Sequence, residues 1–408
     1  MHPAAITSEL DRIRRQAAEL DSQTNFAQGK ELAPRVRATL ANLVLLVTDE
    51  FPQISQAEID RLVGELCISH PARFFVVNYT GSSTEPNAPL STTVSSRCVL
   101  AKNGMRVCSE EVTLNVSAER VSVIPNLLLS LFVPDIECVL LLLSDVSKNS
   151  INSESFLRLF SGLTNISDVL ICDSGGFGEF AKGLSVLDEA LQLPAAPGFR
   201  GAIQRDMSWV SLARWRALIA EQFDAIQADP ENKKVSRVVL SFAVPKNGPM
   251  ITLPTQVQFL IGWIAAKLGW NFSRVSSVAG SLVEFEFIDG DMNIIYIGCQ
   301  PEQVTNGPAL TGCSSRSLRS ISIILGVKEK NTELRIERTQ DLTAVDLSIR
   351  LSAENSILPN ACDIDFRRVP FSDPTLEQLV IAALAPQAID RDFLLARERV
   401  LRISKDLR

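Results

Sequence analysis

The first regular pattern of apolar positions lies near the N-terminus, where charged residues separate them. Its members are Leu10, Ile13, Ala17 and Leu20. Because these positions repeat at helical spacing, the pattern predicts an amphipathic helix over residues 6–20, and we place it in an N-terminal segment of residues 1–30. Val36 to Val47 is predicted to be a strand, since its alternation gives way to a nearly continuous apolar run that is typical of a strand entering a core.

The next helix carries a clear start signal. Ser55 and Glu58 stand three residues apart at the beginning of an apolar-periodic stretch, and this spacing lets each side chain satisfy the free backbone N–H of the other residue. The side chains expected to face the core from this helix are Ile59, Leu62, Val63 and Leu66. The pattern therefore predicts a capped amphipathic helix after Ser55.

The spacing of apolar positions changes at Ala118. Before it the predicted elements are strands, at 74–79, 91–101 and 105–117. Asn103-Gly104 supplies a tight turn between the last two, and we expect this portion to be antiparallel. After it, predicted helices and strands alternate: helix 119–132, strand 138–143, helix 153–161, strand 169–172 and helix 177–191. Such alternation is typical of βα units, so residues 31–197 are predicted to form a mixed α/β domain with a partly parallel sheet.

The strongest internal break lies in residues 193–198, because Pro194 and Pro197 cannot continue the preceding helix. We place the domain boundary there, and residues 198–408 become a C-terminal α/β domain with a largely antiparallel sheet flanked by helices. Its predicted strands lie at 235–244, 273–278, 282–288, 293–298, 318–327, 333–338 and 344–351. Its predicted helices run from Ser208 to about Phe223, from Leu253 to Leu268, and over 374–385 and 390–403.

The net charge of the chain argues against some classes of binding partner. The 408 residues hold 40 Lys and Arg against 47 Asp and Glu, a formal net charge of −7, and such a chain is poorly suited to neutralising a phosphate backbone. The apolar stretch Leu127–Leu143 is interrupted by polar and charged residues, so no membrane span is expected. The N-terminus lacks the basic-then-apolar order of a secretory leader, and we predict a cytoplasmic protein that binds neither nucleic acid nor membrane.

Signatures of catalysis and cofactor binding are missing from the sequence. His2 and His70 are its two histidines, and no phosphate loop, dinucleotide fingerprint or nucleophile elbow of standard spacing occurs. We therefore predict no catalytic residue, no metal site and no cofactor, in a protein that is not an enzyme. The eight cysteines contain no CxxC pair and are predicted to be mostly buried thiols rather than a disulfide framework.

A glycine-rich turn after an apolar strand is the first candidate binding site. In Asp173-Ser174-Gly175-Gly176-Phe177-Gly178, backbone N–H groups at the start of a helix could bind a phosphate. The competing interpretation is a structural turn that Asp173 or Ser174 caps. It is favoured because the spacing matches no established phosphate fingerprint.

His70 also has two interpretations. It precedes Pro71 at the end of the capped helix, where a histidine interacts favourably with the helix dipole. Alternatively, its imidazole could titrate near neutral pH or donate to a partner. The structural role is favoured, because no second histidine or paired nucleophile motif supports catalysis.

A short helix with two tryptophans and two arginines is the main candidate for a protein contact. These residues, of types that dominate protein–protein hot spots, are Trp209, Arg214, Trp215 and Arg216. However, Leu212, Trp215 and Ile219 share one helical stripe, which favours a core position for Trp215. Arg214 and Arg216 flank that stripe and are the better candidates for an exposed surface.

The most specific motifs lie in DMSWVSLARWRALIAEQFD (206–224) and LIGWIAAKLGW (260–270). Five further stretches accompany them in order: RVRATLANLVLLV (35–47), HPARFFVV (70–77), VCSEEVTLNV (107–116), NLLLSLFVPDIECVLLLL (126–143) and DVLICDSGGF (168–177). Together they resemble the OpcA family, the glucose-6-phosphate dehydrogenase assembly proteins. The resemblance spans about residues 35–270.

This resemblance implies a non-catalytic partner of glucose-6-phosphate dehydrogenase that promotes its active oligomer or activates it allosterically, at the entry of the oxidative pentose phosphate pathway. The signature residues that it implies are Asp173, Ser174, Asp206, Ser208, Trp209, Trp215 and Arg216. The chain departs from the family at Cys108-Ser109, where similar proteins often carry paired cysteines, and this argues against a dithiol switch. The alternative function is an α/β protein that binds a phosphorylated small molecule through the Asp173–Gly178 turn.

Overall fold

A computed structural model divides the chain into two compact units. Unit 1 comprises Met1–Met207 and Leu376–Ala385, and unit 2 comprises Ser208–Thr375 and Pro386–Arg408. The residues that the structure describes are 3–26, 35–36, 39–49, 53–81, 90–100, 104, 106–147, 154–192, 202–226, 234–245, 253–278, 282–304, 318–326, 330–353, 363–385 and 389–406. The boundary predicted at 193–198 lies outside them and stays a prediction.

The helices are α1 (Pro3–Phe26), α2 (Gln56–Ser69), α3 (Ile124–Leu131), α4 (Glu154–Asn165), α5 (Phe180–Gln192), α6 (Met207–Ser211), α7 (Ala213–Ile226), α8 (Thr255–Lys267), α9 (Leu376–Leu384) and α10 (Arg391–Asp406). The strands are β1 (Arg35–Val36), β2 (Ala41–Thr48), β3 (Ala72–Thr80), β4 (Ser91–Leu100), β5 (Arg106–Ser117), β6 (Glu137–Leu142), β7 (Val169–Cys172), β8 (Ile203–Asp206), β9 (Val235–Pro245), β10 (Asn271–Val278), β11 (Leu282–Ile288), β12 (Ile294–Val304), β13 (Leu318–Leu325), β14 (Lys330–Arg338), β15 (Ala344–Ala353) and β16 (Asp363–Pro370). The predicted mixed α/β class is confirmed.

The sheet of unit 1 runs in the order β5-β3-β2-β6-β7-β8, with all of these neighbours parallel. The chain starts at the central β2, moves out to β5 and crosses back to β6, which is the strand order of a doubly wound nucleotide-binding sheet. The antiparallel arrangement expected for strands 74–117 is therefore wrong for β3 and β5 and right for β4, which pairs antiparallel with β5. Sequence periodicity identifies a strand but not its neighbour.

Two helix ends predicted from the sequence are confirmed. Ser55 and Glu58 form the predicted reciprocal cap, with Ser55 N donating to Glu58 Oε2 at 2.8 Å and Glu58 N to Ser55 Oγ at 3.3 Å. Gly269 ends α8 with φ of 70°, a conformation that favours glycine. Ser208, in contrast, lies within α6 and is not the cap of a helix running to Phe223, which corrects that prediction.

Further differences concern strand bounds. The single strand predicted from Val36 to Val47 is two strands, β1 and β2, which pair with different neighbours. The helix predicted over 119–132 begins as a 3-10 turn at Ala118–Val123, and β16 lies beyond the last strand predicted from the sequence.

Two of the cysteines form a disulfide, so the interpretation as buried thiols, made for most of the cysteines, is wrong for these two. Cys98 and Cys108 lie directly opposite each other on β4 and β5, with their Cα atoms 4.1 Å apart. The partner of Cys108 is thus across the hairpin and not at the adjacent Ser109. The described cysteines outside the disulfide are all buried, as predicted for most cysteines: Cys67, Cys138, Cys172 and Cys299.

The sheet of unit 2 runs in the order β10-β11-β12-β9-β13-β14-β15-β16. Only β12 and β9 pair in parallel, so the predicted largely antiparallel sheet is confirmed. Helix α7 packs against β14, and α10 packs against α8 and β10. Alternate strand residues such as Leu240, Ile297 and Leu334 are buried beneath these helices. In the part of the chain that is described, no helix is both long enough and apolar enough to span a membrane.

Candidate functional site

The glycine-rich turn lies at the carboxyl end of β7, where Asp173 caps a short 3-10 helix. The N–H of Gly175 donates to Asp173 Oδ1 at 3.1 Å. The N–H of Gly178 donates to Asp145 Oδ2 at 3.0 Å. These backbone donors, which a phosphate would need, are directed at carboxylates of the protein itself. The geometry therefore fits the structural interpretation of the turn and does not fit an anion site.

The three loops at this edge of the sheet are tied together. Gln53, just after β2, donates from its backbone to Leu143 O and from Nε2 to Asp173 O, both at 3.0 Å. Thr48 N donates to Ser144 Oγ at 2.9 Å. The loops that follow β2, β6 and β7 thus meet where a doubly wound sheet opens its ligand crevice.

The side chains at this crevice do not suit the pyrophosphate of a dinucleotide. A Cβ at Gly176 would lie 2.6 Å from Nε2 of Gln53, so the Gln53 side chain fills the space beside that glycine. Glu58 places a carboxylate at the N-terminus of α2, and the hydrogen bond from Ser55 N holds the pKa of this carboxyl below its ordinary value. A negative charge therefore already occupies the helix end that would attract phosphate.

The residues that the structure describes do not support metal binding or thiolate chemistry. They bring together no group of three or more His, Cys, Asp and Glu residues that could hold a metal ion. Burial raises the pKa of the Cys138 thiol to about 12, so this thiol stays protonated and unreactive at neutral pH.

Trp209 lies at the centre of an aromatic cluster in unit 2. Its ring stands 5.9 Å from Phe259 of α8 and 5.9 Å from Phe393 of α10, measured between centroids. Its Nε1 donates to Asp390 Oδ2 at 2.7 Å, and Asp390 Oδ1 accepts from Phe393 N at the start of α10. One indole thus joins the helix pair that follows β8 to the last helix of the chain.

Arg216 covers the other side of this indole. Its guanidinium carbon lies 3.6 Å from the centroid of the Trp209 ring, and Nη1 donates to Trp209 O at 2.7 Å. Burial lowers the pKa of Arg216 to about 10, while Asp390 and Asp392 act in the opposite direction. Arg216 therefore serves the packing of Trp209 and is not the exposed flanking residue expected from the sequence.

Trp215 belongs to a second cluster of unit 2. It is fully buried, and its ring stands 5.3 Å from Phe371. Arg338 lies over both rings and forms an ion pair with Asp373, and these two charged side chains are 1% and 6% exposed. Arg214, which is exposed, donates to Pro370 O and lies over the same Phe371 ring.

The structure separates the signature residues by exposure. The buried members are Asp173, Ser174, Asp206, Ser208, Trp209 and Trp215. Arg216 is half-buried and Arg214 is exposed. Trp215 takes the core position that the helical stripe favours, and Trp209 is buried as well. Arg214, the other candidate from the same helix, is exposed and available for an intermolecular contact. Whether any of these residues contacts a partner stays a prediction.

Several residues of these clusters were missed by the sequence analysis. Asp390 carries a local signal, because it precedes an apolar-periodic helix and is of a type that caps helices. Its bond to Trp209, 181 residues away, has no such signal. Arg338 and Asp373 likewise give no sequence hint of their pairing.

His70 takes the structural role favoured by the sequence, since it is the C-cap of α2 and its N–H donates to Leu66 O. Burial lowers the pKa of the imidazole, and the carboxylate of Glu137 opposes this. Because the pKa of His70 is lower in the folded protein than in the unfolded chain, the free energy of unfolding is highest above the unfolded pKa of about 6.5. It decreases as the pH falls towards the pKa of the folded state.

We expect His70→Gln to remove a small acid-dependent loss of stability. The melting temperature of the native chain should fall on lowering the pH through 6.5, the ordinary value of the histidine pKa, and it should fall less in the variant. Thermal unfolding followed by circular dichroism on both sides of that pH measures the difference. Equal losses in the two chains would show that His70 is not the group responsible.

Two family models match the chain. One, described as the glucose-6-phosphate dehydrogenase subunit N-terminal domain, matches residues 64–189, and the other, described as the C-terminal domain of the same subunit, matches residues 203–397. A curated relative from Synechococcus elongatus, named OxPP cycle protein OpcA, is 27% identical over 193 residues. The match covers 46% of this chain and 38% of that relative, so it spans well under half of the relative's length.

Solved structures resemble the model only distantly. Biliverdin reductase from Synechocystis sp. PCC 6803 gives a TM-score of 0.42 at 9% identity, covering 90% of this chain and 97% of that one. The 3-ketoreductase KijD10 from Actinomadura kijaniata gives 0.43 at 7%, covering 90% and 98%. A dehydrogenase from Chromobacterium violaceum gives 0.43 at 12%, covering 90% and 94%. At these values the likeness says nothing about activity.

Proposed function

The chain belongs to the OpcA family, and from this premise we propose that it binds glucose-6-phosphate dehydrogenase, promotes the active oligomer of that enzyme and activates it allosterically without catalysing a reaction itself. The observation that carries the proposal is the match of the two dehydrogenase-subunit models to residues 64–189 and 203–397. The cytoplasmic location predicted from the sequence goes with this proposal and stays a prediction.

The geometry of unit 1 supports a binding role over an enzymatic one. The crevice of its doubly wound sheet holds Gln53, and Glu58 occupies the N-terminus of the first helix after β2. In the turn at Asp173–Gly178, the N–H groups of Gly175 and Gly178 donate to carboxylates of the protein itself. The alternative function, capture of a phosphorylated small molecule by this turn, therefore finds no support in the contacts.

Activation by binding requires that the protein prefer one state of the dehydrogenase. A partner shifts an equilibrium only by its difference in affinity for the two states. Couplings of this kind are typically about 1–3 kcal/mol, which corresponds to changes of about 5- to 150-fold in apparent affinity. Such a coupling is large enough to control the flux through an enzyme.

We expect purified chain to raise the activity of its cognate glucose-6-phosphate dehydrogenase in a saturable manner. The apparent affinity for the sugar phosphate should rise by about 5-fold or more, because the bound chain stabilises the high-affinity oligomer. Steady-state kinetics at varied substrate, with light scattering on the same mixtures, measures activity and complex mass together.

Arg214 offers a matched pair of variants for this assay. Arg214→Glu reverses the charge of the exposed candidate for a partner contact, whereas Arg158→Glu reverses an exposed charge on α4. We expect only the first to weaken the mixed complex, since rim charges act through electrostatic complementarity. No change in activity or mass with the native chain would contradict the proposed function, while equal effects of the two variants would contradict only the role of Arg214.

A further inference from the structure

One face of the unit 2 sheet carries none of the described helices of unit 2. Its side chains alternate with those buried under α7, α8 and α10. Arg274 at one edge is 70% exposed and Arg368 at the other is 61% exposed, and Phe366 beside Arg368 is 56% exposed. We name this surface the open face.

The middle of the open face is uncharged. Strands β12, β9 and β13 bring together a central band whose members share short, uncharged side chains: Gly298, Val239, Ser241, Ser320 and Ser322. Ser241 Oγ and Ser320 Oγ lie 2.6 Å apart, so even the hydroxyls of the band bond within it. Short side chains of this kind let another surface approach the sheet closely.

Charged residues surround the central band. Among the described residues they are the arginines Arg237, Arg274, Arg335, Arg350 and Arg368 and the carboxylates Glu284, Glu286, Glu302, Glu333, Glu337 and Asp346. Several form ion pairs within the face, such as Arg237 with Glu284 at 2.6 Å and Arg368 with Asp346 at 2.7 Å. An uncharged centre inside a charged rim is the anatomy of a protein–protein interface.

We propose that the open face packs against the same face of a second copy of this chain. A two-fold interface sets one patch against itself, so a patch of a single sign would repel its copy. The rim carries the two signs in nearly equal number and is therefore compatible with itself, whereas a nucleic acid would require a basic face and a membrane an apolar one.

The size of the open face suits a stable dimer. Eight strands at a spacing of about 4.8 Å span roughly 34 Å. With a strand length of about 25 Å, the footprint of the face is on the order of 800 Å², which is comparable to the area that each partner contributes to a standard interface. Two such sheets would pack face to face about 10 Å apart, with the small side chains of the central band between them.

Light scattering on the full chain alone tests this proposal without the dehydrogenase. We expect a mass of about twice the 44.7 kDa of one copy. Val239→Lys sets a charge in the central band of each copy and should raise the dimer dissociation constant by about 100-fold or more. A mass of one copy at every concentration tested, or an unchanged dissociation constant in the variant, overturns the proposal.

Controls distinguish loss of the interface from loss of the fold. Thr93→Lys introduces the same charge at an exposed strand position of unit 1 and should leave the dimer intact. Circular dichroism should give the same spectrum for all three chains. Mixing Val239→Lys with Val239→Glu should restore the dimer mass, because opposite charges then meet, and this would support the proposal. A monomeric native chain whose open face instead binds the dehydrogenase, with Val239→Lys abolishing that binding, would overturn it.

Discussion

Asp373→Asn is expected to lower the free energy of unfolding by about 3–5 kcal/mol. The substitution keeps the shape of the side chain but removes its negative charge. That charge forms the ion pair with Arg338, whose side chain is 1% exposed. Arg319 repels Arg338 from the neighbouring strand, and Asp373 offsets this repulsion. Urea unfolding followed by circular dichroism measures the loss.

The matched control is Asp291→Asn, which breaks an exposed ion pair with Lys234 in the same unit. It should cost less than about 1 kcal/mol, because water screens exposed pairs. Replacing both Arg338 and Asp373 with apolar residues of similar volume should recover most of the loss, since no buried charge then lacks its partner. Equal effects of the two single variants would mean that water reaches the Arg338 pair.

Trp209→Ala should destabilise the protein by about 3–5 kcal/mol, the usual cost of truncating a large buried aromatic side chain. The indole is 3% exposed and contacts Phe259, Phe393 and the Arg216 guanidinium. Its loss should therefore separate α8 and α10 from the helices that follow β8. Urea unfolding by circular dichroism measures this effect independently of tryptophan fluorescence.

A graded variant separates the ring from its hydrogen bond. Trp209→Phe keeps an aromatic ring but leaves Asp390 without the Nε1 donor at 2.7 Å, and we expect a loss of about 1–3 kcal/mol. Activation of the dehydrogenase should persist in any variant under conditions where it remains folded. If Trp209→Ala kept full stability but abolished activation, the indole would be a partner contact and not a core residue.

Elements held by short-range forces could be predicted from the sequence. The reciprocal cap at Ser55 and Glu58, the positive φ of Gly269 and the strand Val169–Cys172 depend on residues only a few positions apart. The disulfide could not be predicted from the expected hairpin, because a two-residue turn at Asn103-Gly104 would set Cys98 opposite Ser109, whereas the observed register sets Cys98 opposite Cys108.

The candidate site was predicted only in part. The family motifs and the helical stripe identified Trp209, Trp215 and their arginines, and the stripe favoured a core position for Trp215. The residues that complete the clusters, Asp390, Phe371 and the Arg338–Asp373 pair, lie far along the chain, and no periodicity links them to the tryptophans.

The sequence by itself determined the helix ends, the apolar strands, the α/β class and the resemblance to the OpcA family, because hydrogen bonding and side-chain periodicity act within one element. Only the tertiary structure decided that β3 and β5 run parallel, that Gln53 lies against Gly176 at the edge of the first sheet, and that the described helices of unit 2 leave one face of the second sheet open. These features depend on which distant elements pack together. Burial and long-range pairing decide which elements pack together, and the local spacing of residue types does not show either of them.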